Sequence, residues 1–171
     1  MSDKRWATWR TAAAASVGVA ACVAGLVWRH SRLAGLELLD SRGWYTPDEA
    51  AALFDALDQL DGGARDVYAI TALTIDMVFP ACYGLLFAIL LSRLFRGGPP
   101  LYPLPLALAL ADVLENATVA ALVLGYGGGT TPLAWLAAVF TLIKTVLAVA
   151  TLVAVFAGGM RWLRVRMRRP R

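Results

Sequence analysis

The chain has 171 residues, 59% of them hydrophobic, with a mean hydropathy of +0.63 and a net charge of +4. Soluble domains run at roughly 45–50% apolar, so a water-exposed globule of this composition would leave too much oil facing solvent; a bilayer removes that problem. Two cysteines, Cys22 and Cys82, and one histidine, His30, exclude a disulfide framework, a structural zinc site and multi-histidine redox centres, and no cofactor is expected.

A bilayer-spanning helix needs about 20 mainly apolar residues. The first such run is 11–28. Lys4, Arg5 and Arg10 before it, and Val19-Ala-Ala-Cys22 within it, give it a faint look of a lipoprotein signal, but the apolar run continues to Trp28 and is long enough to be a retained anchor. Ala14, Gly18, Ala21, Cys22 and Gly25 form a small-residue seam suited to close helix packing.

Residues 29–66 carry Arg29, Arg32, Arg42 and Arg65 against eight carboxylates, a net charge of −4. Within this loop Thr46-Pro-Asp-Glu49 reads as a capping box with proline at the first helical position. Ala50, Leu53, Phe54, Leu57 and Leu60 follow at helical spacing, with Asp48, Asp55, Asp58 and Gln59 opposite, and Asp61-Gly62-Gly63 closes the helix. Membrane-surface helices usually carry Lys or Arg on the polar face, so this acidic one is expected to pack over the mouth of the bundle, as a lid or a structural cap.

The second span is read at 67–91. Arg65, Ala72, Asp76 and Tyr83 fall on one stripe, with Tyr68 and Phe79 at its edges, and Pro80 is expected to kink the helix beside Asp76. The third span, 101–124, places Asp112, Asn116 and Val119 on one face with Glu115 beside it. A glycine-rich turn, 125–131, leads to the fourth span, 132–156, where Lys144 lies between Thr141 and Thr145. The tail from residue 157 holds six arginines interleaved with Trp162, Leu163, Val165 and Met167, a pattern that flanks a membrane and suits anionic headgroups.

Eleven Lys/Arg fall in the N-terminal tail, the 2–3 link and the C-terminal tail. The positive-inside rule then puts both termini in the cytoplasm, with an even number of spans, in the cell membrane. The chain is thus expected to be an all-α polytopic membrane protein. Its single membrane domain, residues 1–171, is a four-transmembrane-helix bundle with a short amphipathic helix in the loop between helices 1 and 2.

Ionisable groups inside spans are costly and mark function by default. At a rise of about 1.5 Å per residue, Asp76, Asp112, Glu115, Asn116 and Lys144 sit at similar depth, roughly 13–20 Å from the outer ends. Three carboxylates then face one ammonium. Lys144 is expected to pair with Asp112 or Glu115, leaving a carboxyl protonated or awaiting a cation. Arg65 and Tyr68 are expected at the outer mouth of this candidate binding cluster, and Tyr83 deeper.

Arg65-Asp-Val-Tyr68, Asp76-Met-Val-Phe-Pro-Ala-Cys-Tyr83 and Asp112-Val-Leu-Glu-Asn116 resemble a pattern recurring in small uncharacterised four-helix membrane proteins, a resemblance that covers residues 44–116 and implies no activity. A weaker likeness is to the emopamil-binding-protein group, whose isomerases use an intramembrane histidine that the spans here lack.

Three functions remain open on these residues. One is binding or transport of a small cation, amine or amphiphile at the acidic site, entered from the outer side. A second is a lipid- or isoprenoid-active enzyme with carboxylate acid–base chemistry and no nucleophile motif. The third is an accessory subunit with a structural polar core. Membrane lipids are the expected surroundings and a small molecule or lipid the expected ligand; nucleic acid is not a partner. Transport through four helices would call for a homodimer.

Overall fold

The computed structural model describes residues 7–60 and 62–167, so Lys4, Arg5, Asp61, Arg168, Arg169 and Arg171, which entered the reading of the tails and of the loop-helix end, lie outside the described residues. Those described are helical and irregular, with no strand. The helices are α1 (Trp9–Arg32), α2 (Pro47–Asp58), α3 (Ala64–Leu73), α4 (Ile75–Leu94), α5 (Pro103–Leu124) and α6 (Leu133–Met167), with a 3-10 turn at Leu39–Ser41. Four helices are long and apolar enough to cross a membrane: α1, the α3–α4 pair, α5 and α6.

Three boundaries that bear on the site differ from the sequence reading, the first being that α1 runs past residue 28 to Arg32 and takes in Arg29. The second span is broken at Thr74 (φ −120°, ψ −80°), two residues before Asp76, so it is two consecutive helices and not one. Thr74 donates its hydroxyl to the Ile70 carbonyl at 2.6 Å; a hydroxyl bonding back into the preceding turn is a known cause of helix bending. The fourth span does not end at residue 156 but continues as helix to Met167, so much of the expected tail is helical.

The bundle is built by neighbours in sequence. α1 packs on α4, α4 on α5 and α5 on α6, while α3 sits against α5. The α1 seam works through its glycines: a Cβ at Gly18 would lie 2.5 Å from Cys82 Sγ, and one at Gly25 2.8 Å from Ile75 Cδ1. Cys22 is buried on the same face, whereas Ala14 and Ala21 point outward, so the seam runs through Ala15, Gly18, Cys22 and Gly25. Large apolar side chains such as Val17, Ile70, Leu110, Val146 and Phe156 face outward, the arrangement that lipid favours and water does not.

At one end of the bundle Arg93 donates to the Ala7 carbonyl at 2.6 Å and stacks 4.1 Å over Trp9, tying the start of α1 to the end of α4. At the other end lies the main apolar core. Leu39, Tyr45, Phe54, Leu57, Tyr68, Val119, Val123 and Ala137 bury together there, joining the loop, α2, α3, α5 and α6. The α2 capping box forms as read: Glu49 N–H donates to Thr46 Oγ1 at 3.3 Å, and Thr46 N–H donates to Glu49 Oε2 at 2.7 Å. Those Thr46 bonds hold the Glu49 carboxyl below its ordinary range.

Candidate functional site

Beneath that core, α1, α4, α5 and α6 bring their charged residues together. Pro80 supplies the first constraint. It has no N–H, so the Asp76 carbonyl loses the partner four residues on that a regular helix would give it. Asn116 fills the gap, donating from Nδ2 to the Asp76 carbonyl at 2.7 Å, and also to Asp112 Oδ1 at 3.2 Å. A proline in one helix is thereby answered by an amide on the next. Because both partners are buried, leaving that carbonyl bare would carry the full cost of desolvation.

Two ion-pair clusters build the rest. In the first, Lys144 pairs with Glu115 and lies 3.5 Å from Asp112, and its ammonium donates to the Asp40 main-chain carbonyl at 3.0 Å. Thr141 donates to Glu115 Oε1 at 2.5 Å, and Tyr83 donates to Asp112 Oδ2 at 2.7 Å. Glu115 is fully buried. The expected pairing of Lys144 with Asp112 or Glu115 is therefore met by both carboxylates.

The second cluster was not legible as a site. Arg29, read as an ordinary loop arginine, lies in the last turns of α1, is 5% exposed, and forks between Asp76 and Asp40, the latter at 2.7 Å. Asp40, read only as loop charge, also accepts from the Tyr68 hydroxyl at 3.3 Å, and Tyr68 Oη accepts from Leu39 N–H at 3.2 Å. The site thus holds four carboxylates and two cations, not three and one. Arg29 did carry a signal: it stands four residues after Gly25 and seven after Cys22, so it continues the α1 packing seam. Asp40 carried none. Ala34 and Gly35 adopt left-handed φ of 52° and 72°, turning the chain back after α1 so that residues 36–41 fold over the cluster.

The structure brings together Asp76, Asp112, Glu115, Asn116, Lys144 and Tyr83, with Tyr68 joined through Asp40. Arg65 does not belong. It lies about one turn before Tyr68, pairs with Asp58 at 2.8 Å on the surface and stacks 5.5 Å over Tyr126. Tyr126 in turn donates to Asp55 at 2.6 Å, which raises its phenol above the ordinary range.

A cavity of about 490 Å³ opens onto the network. Asp40, Asp76, Asp112, Arg29 and Lys144 share its wall with Glu37, His30 and the apolar Val23, Leu26, Val27, Leu36, Leu38 and Phe79. Its roof is the segment 35–41, not α2, which packs instead on the core formed with α3, α5 and α6. The amphipathic helix is thus a structural cap beside the cavity and not a lid across it. Among the described residues no three His, Cys, Asp or Glu side chains are grouped to hold a metal ion.

Lys144 lies closest to Glu115, which does not line the cavity, so most of its charge is answered from behind. Arg29 balances one of Asp40 and Asp76. The cavity wall therefore keeps an excess of carboxylate, centred on Asp112 and the Asp40–Asp76 pair. No family model, curated protein or solved structure matches the chain.

Proposed function

We propose that the chain is a multi-pass protein of the cell membrane that binds or transports a small cation, amine or cationic amphiphile in this acidic cavity. One observation carries the reading: more carboxylates than cations line a cavity large enough for a small molecule, among helices long and apolar enough to cross a bilayer. A buried excess of negative charge is costly until a proton or a cation answers it, which makes a cationic ligand the natural complement. The positive-inside count favours both termini in the cytoplasm. Arg93 and the arginines at the end of α6 then lie on the cytoplasmic side, and the cavity in the opposite half.

A second reading has its own support. Each of the six charged groups in the network has a partner of opposite sign. That arrangement suits a structural polar core in an accessory subunit, since such networks serve fold specificity in some proteins. Native mass spectrometry of detergent-released protein separates the two. Binding predicts a cationic adduct on wild type that is lost from a folded Asp112→Asn variant. A wild type that holds no cation at any added concentration supports the structural core.

A further inference from the structure

The shape of the cavity specifies how its occupant arrives and what it carries. α1 packs along α4 and α3, and α6 along α5 and α4, but α1 and α6 are not closed against each other over any length. The cavity lies in that gap. On α1 its wall runs from Val23 near the middle of the helix to His30 near its end, about 10 Å along the axis. Val23 and Val27 are 44% and 65% exposed, so the same valines line the cavity and face the bundle's exterior, where Val17 and Trp28 also point.

At the axial end the segment 35–41 lies over the cavity and is pinned on both sides. Asp40 anchors the roof twice, through its carboxylate to Arg29 on α1 and through its main-chain carbonyl to Lys144 on α6. Trp44 stacks 6.0 Å from Trp135 and continues the closure across the top of α6. Both anchors are buried or partly buried charge-assisted bonds, which are stronger than neutral ones. A solute coming from water meets the exposed loop residues Gly35, Glu37 and Ser41 at this end; a molecule already in the bilayer meets a side walled by valines and Phe79, with carboxylates behind.

Resting on the cationic reading above, we infer that the ligand is an amphiphile that enters sideways from the bilayer between α1 and α6. Its cationic head sits at Asp76 and Asp112, and its apolar chain lies along Val23, Val27 and Phe79.

The test compares n-butylamine with n-dodecylamine, two amines with one head group, by native mass spectrometry titration of wild type, Val27→Trp, Val149→Trp and Asp112→Asn. Val149 is exposed like Val27 but does not line the cavity, so its tryptophan controls for added surface bulk. Dodecylamine is expected to bind wild type one-to-one at least about tenfold more tightly than butylamine, because its chain can cover the whole valine-lined wall and butylamine's only part of it. Val27→Trp is expected to abolish that preference and keep butylamine binding; Val149→Trp is expected to leave both amines unchanged. Equal affinity of the two amines for wild type, with both lost in Asp112→Asn, would overturn the side entrance and leave the cationic site standing. Binding of neither amine would overturn the cationic site itself. If Val27→Trp fails to fold, the chain-length comparison in wild type decides alone.

Discussion

At the residue scale, the decisive pairings are those that a proline and an arginine impose. Removing Arg29 leaves Asp40 and Asp76 facing each other without their cation. Breaking one side of a buried pair costs about 3–5 kcal/mol, so Arg29→Met should unfold far more readily than wild type in detergent. Arg29→Met combined with Asp40→Asn and Asp76→Asn should recover most of that loss. If the triple variant is no more stable than Arg29→Met, the network is not what holds α1 to the loop. Pro80 and Asn116 form a second coupled pair. Asn116→Ala should cost about 1–3 kcal/mol, the penalty for a buried carbonyl left bare. In a Pro80→Ala background a main-chain N–H can reach that carbonyl, and the cost of Asn116→Ala should fall. Additive effects in the double-mutant cycle would separate the two residues.

At the scale of elements, α1 and α2 make different demands. α1 has a glycine where the Cys82 sulfur sits, so Gly18→Ala is expected to lose about 1–3 kcal/mol through overpacking, and Cys82→Ala to restore most of it by making room. A Gly18→Ala protein as stable as wild type would mean that the contact relaxes freely. α2 depends on its cap. Because the Glu49 carboxyl is held below its ordinary range, the capping contribution is present at neutral pH, where the unfolded carboxylate is also ionised. It is lost as pH falls from the ordinary carboxylate range, about 4.3, through the lower folded value. Thermal unfolding of wild type should therefore weaken more between neutral and acid pH than that of Glu49→Gln, and parallel pH profiles would contradict the assignment.

These elements also show how far the amino acids speak for themselves. Run length and hydropathy located the four long helices because they are sums over about 20 residues and tolerate local error. Thr46, Pro47 and Glu49 located α2 because a capping box is a local device whose partners lie three residues apart. Asp76, Asp112, Glu115, Asn116 and Lys144 were legible as a cluster because charge in a span is expensive wherever it points. What failed depended on geometry between segments. On the stripe that assigned Arg65 to the mouth, Tyr68 and Ala72 are buried, whereas the long Arg65 side chain turns to Asp58 and Tyr126. Arg29 was read with its charged neighbours in the loop, although its spacing from Cys22 and Gly25 placed it on the packing face. Asp40 was beyond reach, because two left-handed residues at Ala34 and Gly35 decide where it lands.

On the scale of the whole molecule, α4 packs on α1, α5 and α6, and the loop segment 35–41 lies over the cavity between α1 and α6. The bundle's apolar exterior and charged interior favour one account, a membrane site held short of neutrality and completed by a cation. Asp112 is the residue on which that account turns, since it lines the cavity and stands 3.5 Å from Lys144. The most direct measurement is the affinity of a simple alkylammonium for wild type and for folded Asp112→Asn, titrated by native mass spectrometry in one detergent. The account predicts saturable one-to-one binding to wild type, weakened at least about tenfold by the substitution, a loss of about 1.4 kcal/mol. Affinity unchanged by Asp112→Asn, or no saturable binding to wild type, would contradict it.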